Sequence, residues 1–144
     1  MPVPPKEFLG LLSEVIPFNK LLGIRVDEAR EGYARLVLPY RAEFIGDASR
    51  PALHGGVIST LVDTCGGFAV WTQLRTEDRV STIDLRVDYL APGAPEALYA
   101  EGTVVRVGNR VGVVDVRCWQ PSAPTRTVAT GKAVYNIKRM EDAP

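Results

Sequence analysis

Between His54 and Leu74 the chain reads HGGVISTLVDTCGGFAVWTQL, the one stretch long and apolar enough for a long buried helix. Val57, Ile58, Leu61, Val62, Cys65, Phe68, Ala69, Trp71 and Leu74 cover more than one side of that helix. A helix apolar on more than one side has to be surrounded rather than laid on a surface. The rest of the chain must therefore supply a wrapping.

The flanking segments have the patterns for it. From Lys6 to Val15, Phe8, Leu11, Leu12 and Val15 fall at helical spacing, with Pro4 and Pro5 before them and Pro17 after. Residues 1–17 thus read as an N-terminal helical segment. Pro17 to Ile24, PFNKLLGI, reads as an irregular turn. Ile24–Ala29 and Tyr33–Pro39 read as strands joined through Glu31-Gly32, and Tyr40–Leu53 as a loop carrying the turn formers Gly46, Asp47, Ser49 and Pro51. Val80–Leu90 alternates, with Ile83, Leu85, Val87 and Tyr89 on one face and Thr82, Asp84, Arg86 and Asp88 on the other. Leu98–Val107 and Val111–Trp119 flank Gly108-Asn109-Arg110, a hairpin signal. Thr127–Lys138 is the last strand. Successive strands without intervening helices run largely antiparallel. The expected architecture is α+β, an antiparallel β-sheet against one long helix, in a single domain over residues 1–144.

Bulk properties remove several function classes. Seventeen basic residues balance seventeen acidic ones, so no broad positive field draws the chain to nucleic acid. The same near-zero charge is compatible with an oligomer. Cys65 and Cys118 sit in no CxxC pattern and away from the single histidine, which argues against a disulfide framework and against a metal site. No metal or redox cofactor is expected. The start MPVPPKEFLGLLSEV lacks a basic segment leading into a long apolar core, and no run approaches a membrane span. The expectation is a cytoplasmic protein.

Chemistry concentrates on the long helix. Ser59, Thr60, Asp63, Thr64 and Gly67 form a stripe in which Asp63 is the one charge. Burying a carboxylate is costly unless it is hydrogen-bonded or used. A plain alternative is an aspartate capped by neighbouring hydroxyls. His54-Gly55-Gly56 opens the helix, where the first N–H groups lack partners and the macrodipole is positive, a setting able to hold a developing oxyanion. His54 on its own reads more readily as a structural than as a catalytic residue, and no GxSxG elbow supplies a serine nucleophile. Donors at the helix start and a carboxylate beyond them suit attack on a carbonyl. Asp63 lies nine positions after His54, a rise of about 13 Å. Two groups so far apart on one helix meet one carbonyl most simply from different subunits.

The strings LHGGVISTLVDTCGGFAVW and VSTIDLRVDYLAPG closely resemble the hotdog-fold thioesterases, over roughly Phe18 to Lys138. The nearest branch looks like the one with the phenylacetate-pathway and 4-hydroxybenzoyl-CoA-type thioesterases. The resemblance implies an antiparallel sheet wrapped around a central helix, and a homodimer or a dimer-of-dimers tetramer with active sites at the subunit interface. It implies an acyl-CoA thioesterase acting on an aromatic or short- to medium-chain acyl group. The Gly55 N–H would polarise the thioester carbonyl. Asp63 of the opposing subunit would attack directly or activate water, Thr82 would orient that water or the substrate, and His54 would shape the loop. Tyr89, Leu90, Ala91 and Pro92 at a strand end, with Arg106, Gly108, Asn109 and Arg110 at the hairpin, would contact the CoA. Arg106 and Arg110 are candidate phosphate partners.

The chain departs from its relatives at Ala48, six positions before His54, where they often carry Asn or Gln. Ser49 or Arg50 could substitute as a donor. Other readings are a non-catalytic acyl-CoA-binding protein, a thioesterase for acyl carrier protein, and a dehydratase or hydratase, whose signature strings are absent. Phe44, Phe68, Trp71 and Leu74 could line an acyl pocket or belong to the core.

Overall fold

A computed structural model describes residues 4–140. The chain opens with two short helices, α1 (Pro5–Val15) and α2 (Pro17–Leu22), each with proline in its first turn. That is where a missing N–H costs nothing and a fixed φ helps. β1 (Arg25–Arg30) and β2 (Tyr33–Leu38) follow, then a 3-10 turn at Ala42–Phe44 and a small ribbon of β3 (Ile45–Asp47) and β4 (Ala52–Leu53). The long helix α3 spans Gly55–Trp71. Four strands complete the chain: β5 (Arg79–Tyr89), β6 (Leu98–Val107), β7 (Val111–Trp119) and β8 (Ala129–Lys138).

Six strands form one antiparallel sheet in the order β1-β2-β6-β7-β8-β5. α3 packs against its inner face, touching β2, β5, β6, β7 and β8. Leu61, Val62, Cys65 and Val70 of α3 are fully buried among Leu36, Leu98, Ala100, Val114 and Ala133. Burying one such leucine stabilises the fold by roughly 1.5–3 kcal/mol. The helix lies close because the sheet leaves room for it. A Cβ at Gly112 would come within 2.9 Å of Val70 Cγ2, so glycine is needed at that approach. Among the described residues, no helix is long and apolar enough to cross a membrane.

The α+β architecture and the order of the six long strands along the chain follow the expectation from the sequence. Three segments differ. Tyr40–Leu53, expected as a loop, contains the 3-10 turn and the β3–β4 ribbon, whose strands of three and two residues are too short to show an alternation. Pro17–Leu22 is a helix rather than an irregular turn. Pro17 starts it and Gly23, in the left-handed region at φ 75°, ends it, with its N–H on Asn19 and Lys20 carbonyls. Only six residues long, it carries too little periodicity to be recognised as a helix.

The third difference lies in β5. The β5–β8 register shifts between Thr82 and Asp84, leaving Ile83 as the extra residue of a bulge, 58% exposed. The alternation resumes in the opposite phase. Leu85 and Val87 face inward as expected, but so do Val80 and Thr82, whereas Arg86 and Asp88 lie on the outer face. A strict period-two reading places Thr82 on the same face as Arg86 and Asp88, which the bulge separates.

Candidate active site

His54 is the N-cap of α3, with extended backbone angles of φ −62° and ψ 132°. Its Nδ1 accepts the Gly56 N–H at 2.8 Å, so the neutral ring carries its proton on Nε2. Val57 and Ile58 donate to the His54 carbonyl at 3.0 and 3.3 Å. The Gly55 N–H has no acceptor among the described residues. Three of the first four amides at this helix start are therefore satisfied, and the unsatisfied one belongs to Gly55. The Tyr89 hydroxyl, at the end of β5, donates to the Gly55 carbonyl at 3.1 Å. A Cβ on Gly55 would stand 3.2 Å from the exposed Tyr89 ring, which would have to shift by a few tenths of an ångström to admit it.

Two turns further on, Asp63 is held at both ends. Thr82 Oγ1 donates to Asp63 Oδ1 at 2.7 Å, and the Tyr135 hydroxyl donates to the Asp63 main-chain carbonyl at 2.6 Å. Thr82 and Tyr135 are direct partners across β5 and β8. One cross-strand pair thus grips the side chain and the backbone of a single helical residue. The bulge at Ile83 is what turns Thr82 toward α3. Tyr135 reaches the helix because Gly66 has no side chain: a Cβ there would overlap the hydroxyl, whereas one on Gly67 would only touch the ring. Burial, reinforced by the Asp63 carboxylate, pushes the Tyr135 phenol well above its ordinary range, so it remains a donor.

A cavity of about 170 Å³ opens beside Asp63 and Thr82. Phe68, Trp71 and Val80 give it apolar walls, and Ile16 and Asn19 reach it from the N-terminal helices. Asn19 is only 4% exposed, and its amide has no hydrogen-bond partner among the described residues. Of the four candidate pocket residues, Phe68 and Trp71 line this cavity. Leu74 lines a separate one under α1, and Phe44 is buried in the core.

The remaining candidates fall into two groups. Tyr89, Leu90, Ala91 and Pro92 lie at the end of β5, near the start of α3, with Leu90 and Ala91 N–H both on the Val128 carbonyl. Arg106, Gly108, Asn109 and Arg110 line a depression of about 390 Å³ at the β6–β7 hairpin. Arg139 donates to the Gly108 and Asn109 carbonyls and pairs with buried Asp78 at 3.6 Å, just past the end of α3. Along the 17 residues of α3 these groups stand about 25 Å apart. A single chain does not bring them together.

In the loop before His54, Asp47 accepts from the Ser49 N–H and O–H and from Arg50 Nε, which holds its carboxyl below the ordinary range. The two substitute donors weighed for the Ala48 position are thus both turned onto Asp47. Tyr135 and Asn19 are the residues missed by sequence reasoning. The pair Gly66-Gly67 inside a helix was the available signal for a side chain pressing on it.

An antiparallel sheet curled around one helix, with a free amide at the helix start and a carboxylate two turns on, defines an α+β protein of the hotdog class. Comparison with known proteins gives the family. A model of the thioesterase superfamily matches residues 51–125. A provisionally assigned esterase of Halobacterium salinarum is 37% identical, the match covering 90% of this chain and 85% of that one. The medium/long-chain acyl-CoA thioesterase YigI of Escherichia coli is 35% identical over 77% of this chain and 83% of its own. The X-ray structure of a thioesterase-superfamily protein superposes with a TM-score of 0.84 at 32% identity, covering 93% of this chain and 98% of that one. The chain belongs to the thioesterase superfamily, and is by that membership a thioester hydrolase.

Proposed function

We propose that the protein hydrolyses acyl-CoA to free acid and CoA, with Asp63 of one subunit and the Gly55 N–H of its partner acting on one thioester carbonyl. The observation that carries this reading is the Asp63 carboxylate, held by Thr82 at the mouth of an apolar-walled cavity. Thr82 occupies Oδ1 and leaves Oδ2 for the reaction. As a base, Oδ2 takes a proton from water, whose oxygen attacks the carbonyl carbon. As a nucleophile, Oδ2 attacks that carbon itself and water later splits the anhydride. Either way, negative charge gathers on the carbonyl oxygen, where an unpaired helix-start N–H is best placed to meet it. The CoA thiolate then leaves.

The distance between Gly55 and Asp63 supports a homodimer, and so does β5. It is an edge strand of 11 residues, with Ile83, Tyr89 and Leu90 exposed. Two-fold pairing of β5 edges would set the beginning of one strand beside the end of the other. That brings the hairpin arginines of one subunit toward the helix start of the next, and one CoA could then span both groups. Pairing of dimers into a tetramer remains compatible with this arrangement. The cavity is close in size to one that holds a benzene ring. This supports an aromatic or short- to medium-chain acyl group, as in the phenylacetate and 4-hydroxybenzoyl branch. YigI is named for medium and long chains, so chain length is the point to measure.

A thiol-release assay over aromatic and straight-chain acyl-CoAs tests the reading. Wild type releases CoA, and Asp63→Asn lowers kcat by at least about 100-fold. An Asn variant with an intact rate overturns the mechanism. Single turnover in heavy-oxygen water tests the nucleophilic role, because water that splits the anhydride at the Asp63 carbonyl leaves its label in Asp63. The loop around Ala48, whose nearby donors are engaged by Asp47, favours as a second reading a protein that binds acyl-CoA without turnover. Saturable binding with no thiol release from any acyl-CoA or acyl carrier protein would establish that reading.

A further inference from the structure

The cavity beside Asp63 follows the axis of α3. Asp63, Thr64, Gly67, Phe68 and Trp71 line it at whole-turn intervals, so it extends along eight residues, a rise of about 12 Å. It is polar at the Asp63 end and aromatic at the other. Past that aromatic end lies a larger space of about 570 Å³ beneath α1, walled by Phe8, Ala29 and Leu74. Trp71 lines both spaces. Its ring meets that of Phe8 edge-on, with centroids 5.8 Å apart. Its Nε1 is buried with no hydrogen-bond partner among the described residues, so packing holds the indole in place.

We propose that Trp71 is the end wall of the acyl pocket and sets the longest acyl chain the enzyme accepts. The proposal rests on the thioesterase reading. With the reacting carbonyl at Asp63, an acyl chain following α3 meets the indole after about two turns of helix. Removing the indole opens the pocket into the space under α1, where Phe8, Ala29 and Leu74 offer a further apolar surface for a straight chain. An aromatic or short acyl group never reaches this point, so the change acts on length and not on the chemical step.

The test is kcat/KM for straight-chain acyl-CoAs from butanoyl to hexadecanoyl, with wild type, Trp71→Phe and Trp71→Ala. Each protein is scored by its own ratio of long to short ester, which cancels any general loss of activity. The wild-type profile breaks at a limiting length. In Trp71→Ala the break moves to longer chains, and each methylene newly accommodated raises kcat/KM roughly 4-fold. Trp71→Phe falls between, and carries the comparison should the alanine variant fail to fold. A folded Trp71→Ala with the wild-type profile overturns the proposal, as does a wild type without a length limit. If wild type hydrolyses no acyl-CoA, the thioesterase reading fails, and the length dependence of binding affinity for the same esters then decides on Trp71.

Discussion

Asp63 owes its position to two hydroxyls that face each other across β5 and β8, one on its carboxylate and one on its carbonyl. Hydrogen bonds to charged groups contribute about 1.5–3 kcal/mol, and an exposed threonine belongs at the low end of that range. Thr82→Val is therefore expected to lower kcat roughly 10-fold and the melting temperature by a few degrees, as steady-state kinetics and calorimetry would show. A second residue-scale prediction concerns Cys118, whose thiol is pushed up to about 12 by burial, against an ordinary 9.0. A thiol raised in the folded state adds stability that is complete below pH 9.0 and is lost as the pH climbs toward 12. Cys118→Ala should be less stable at neutral pH by about 1 kcal/mol. It should also decline less steeply in denaturant titrations over the alkaline range. At this scale the sequence was legible where chemistry leaves a local mark. His54, Gly55 and Asp63 share one helix and stand out by residue type. Tyr135 and Asn19 were invisible because their roles depend on elements far away in the chain, and a tyrosine in a strand or an asparagine in a turn is unremarkable in itself.

Among the elements, the bulge in β5 has the largest consequence. The alternating pattern located the strand correctly and gave Leu85 and Val87 their inward face. It misplaced Thr82, because one extra residue changes phase without leaving a trace in hydropathy: Ile83 is apolar and fits an uninterrupted alternation. Deleting Ile83 leaves Thr82 opposite Tyr135 and Asp84 opposite Val134 in an unbroken register, so Thr82 should still meet Asp63. The expected result is a folded protein with a kcat close to that of wild type and the circular dichroism spectrum preserved. A fall in kcat as large as in Thr82→Val would show that Thr82 needs the bulge itself to reach Asp63. The helix α2 was unread for a different reason, since six residues give fewer than two turns of periodicity. α3 was legible throughout, being long, apolar on most sides and capped by a recognisable HGG start.

For the whole molecule, the fold could be inferred from the order of elements, whereas the dimer is expected only from the separation of His54 and Asp63 along one helix and from the resemblance, because a two-fold axis leaves no period in the sequence. The shared-site arrangement has a direct test. Gly55→Pro removes the N–H at the first helical position, where proline is tolerated, and His54 already has the extended angles that precede a proline. Asp63→Asn removes the carboxylate. Each variant alone should be inactive. If every site combines Gly55 of one subunit with Asp63 of the other, each mixed dimer carries one intact site. Co-refolding equal amounts should then restore about a quarter of wild-type activity. Mixing without recovery, despite exchange of subunits confirmed by mass spectrometry, would place both groups of each site in one chain.

The grip on Asp63 also sets a timetable. Thr82 and Tyr135 come together only when β5 has paired with β8, two strands separated by two others in the chain. Such long-range pairings form late, since the closure of the intervening loop has to be overcome first. Refolding chains should therefore regain helical signal well before they regain turnover. An enzyme built this way withholds its chemistry from half-made copies of itself.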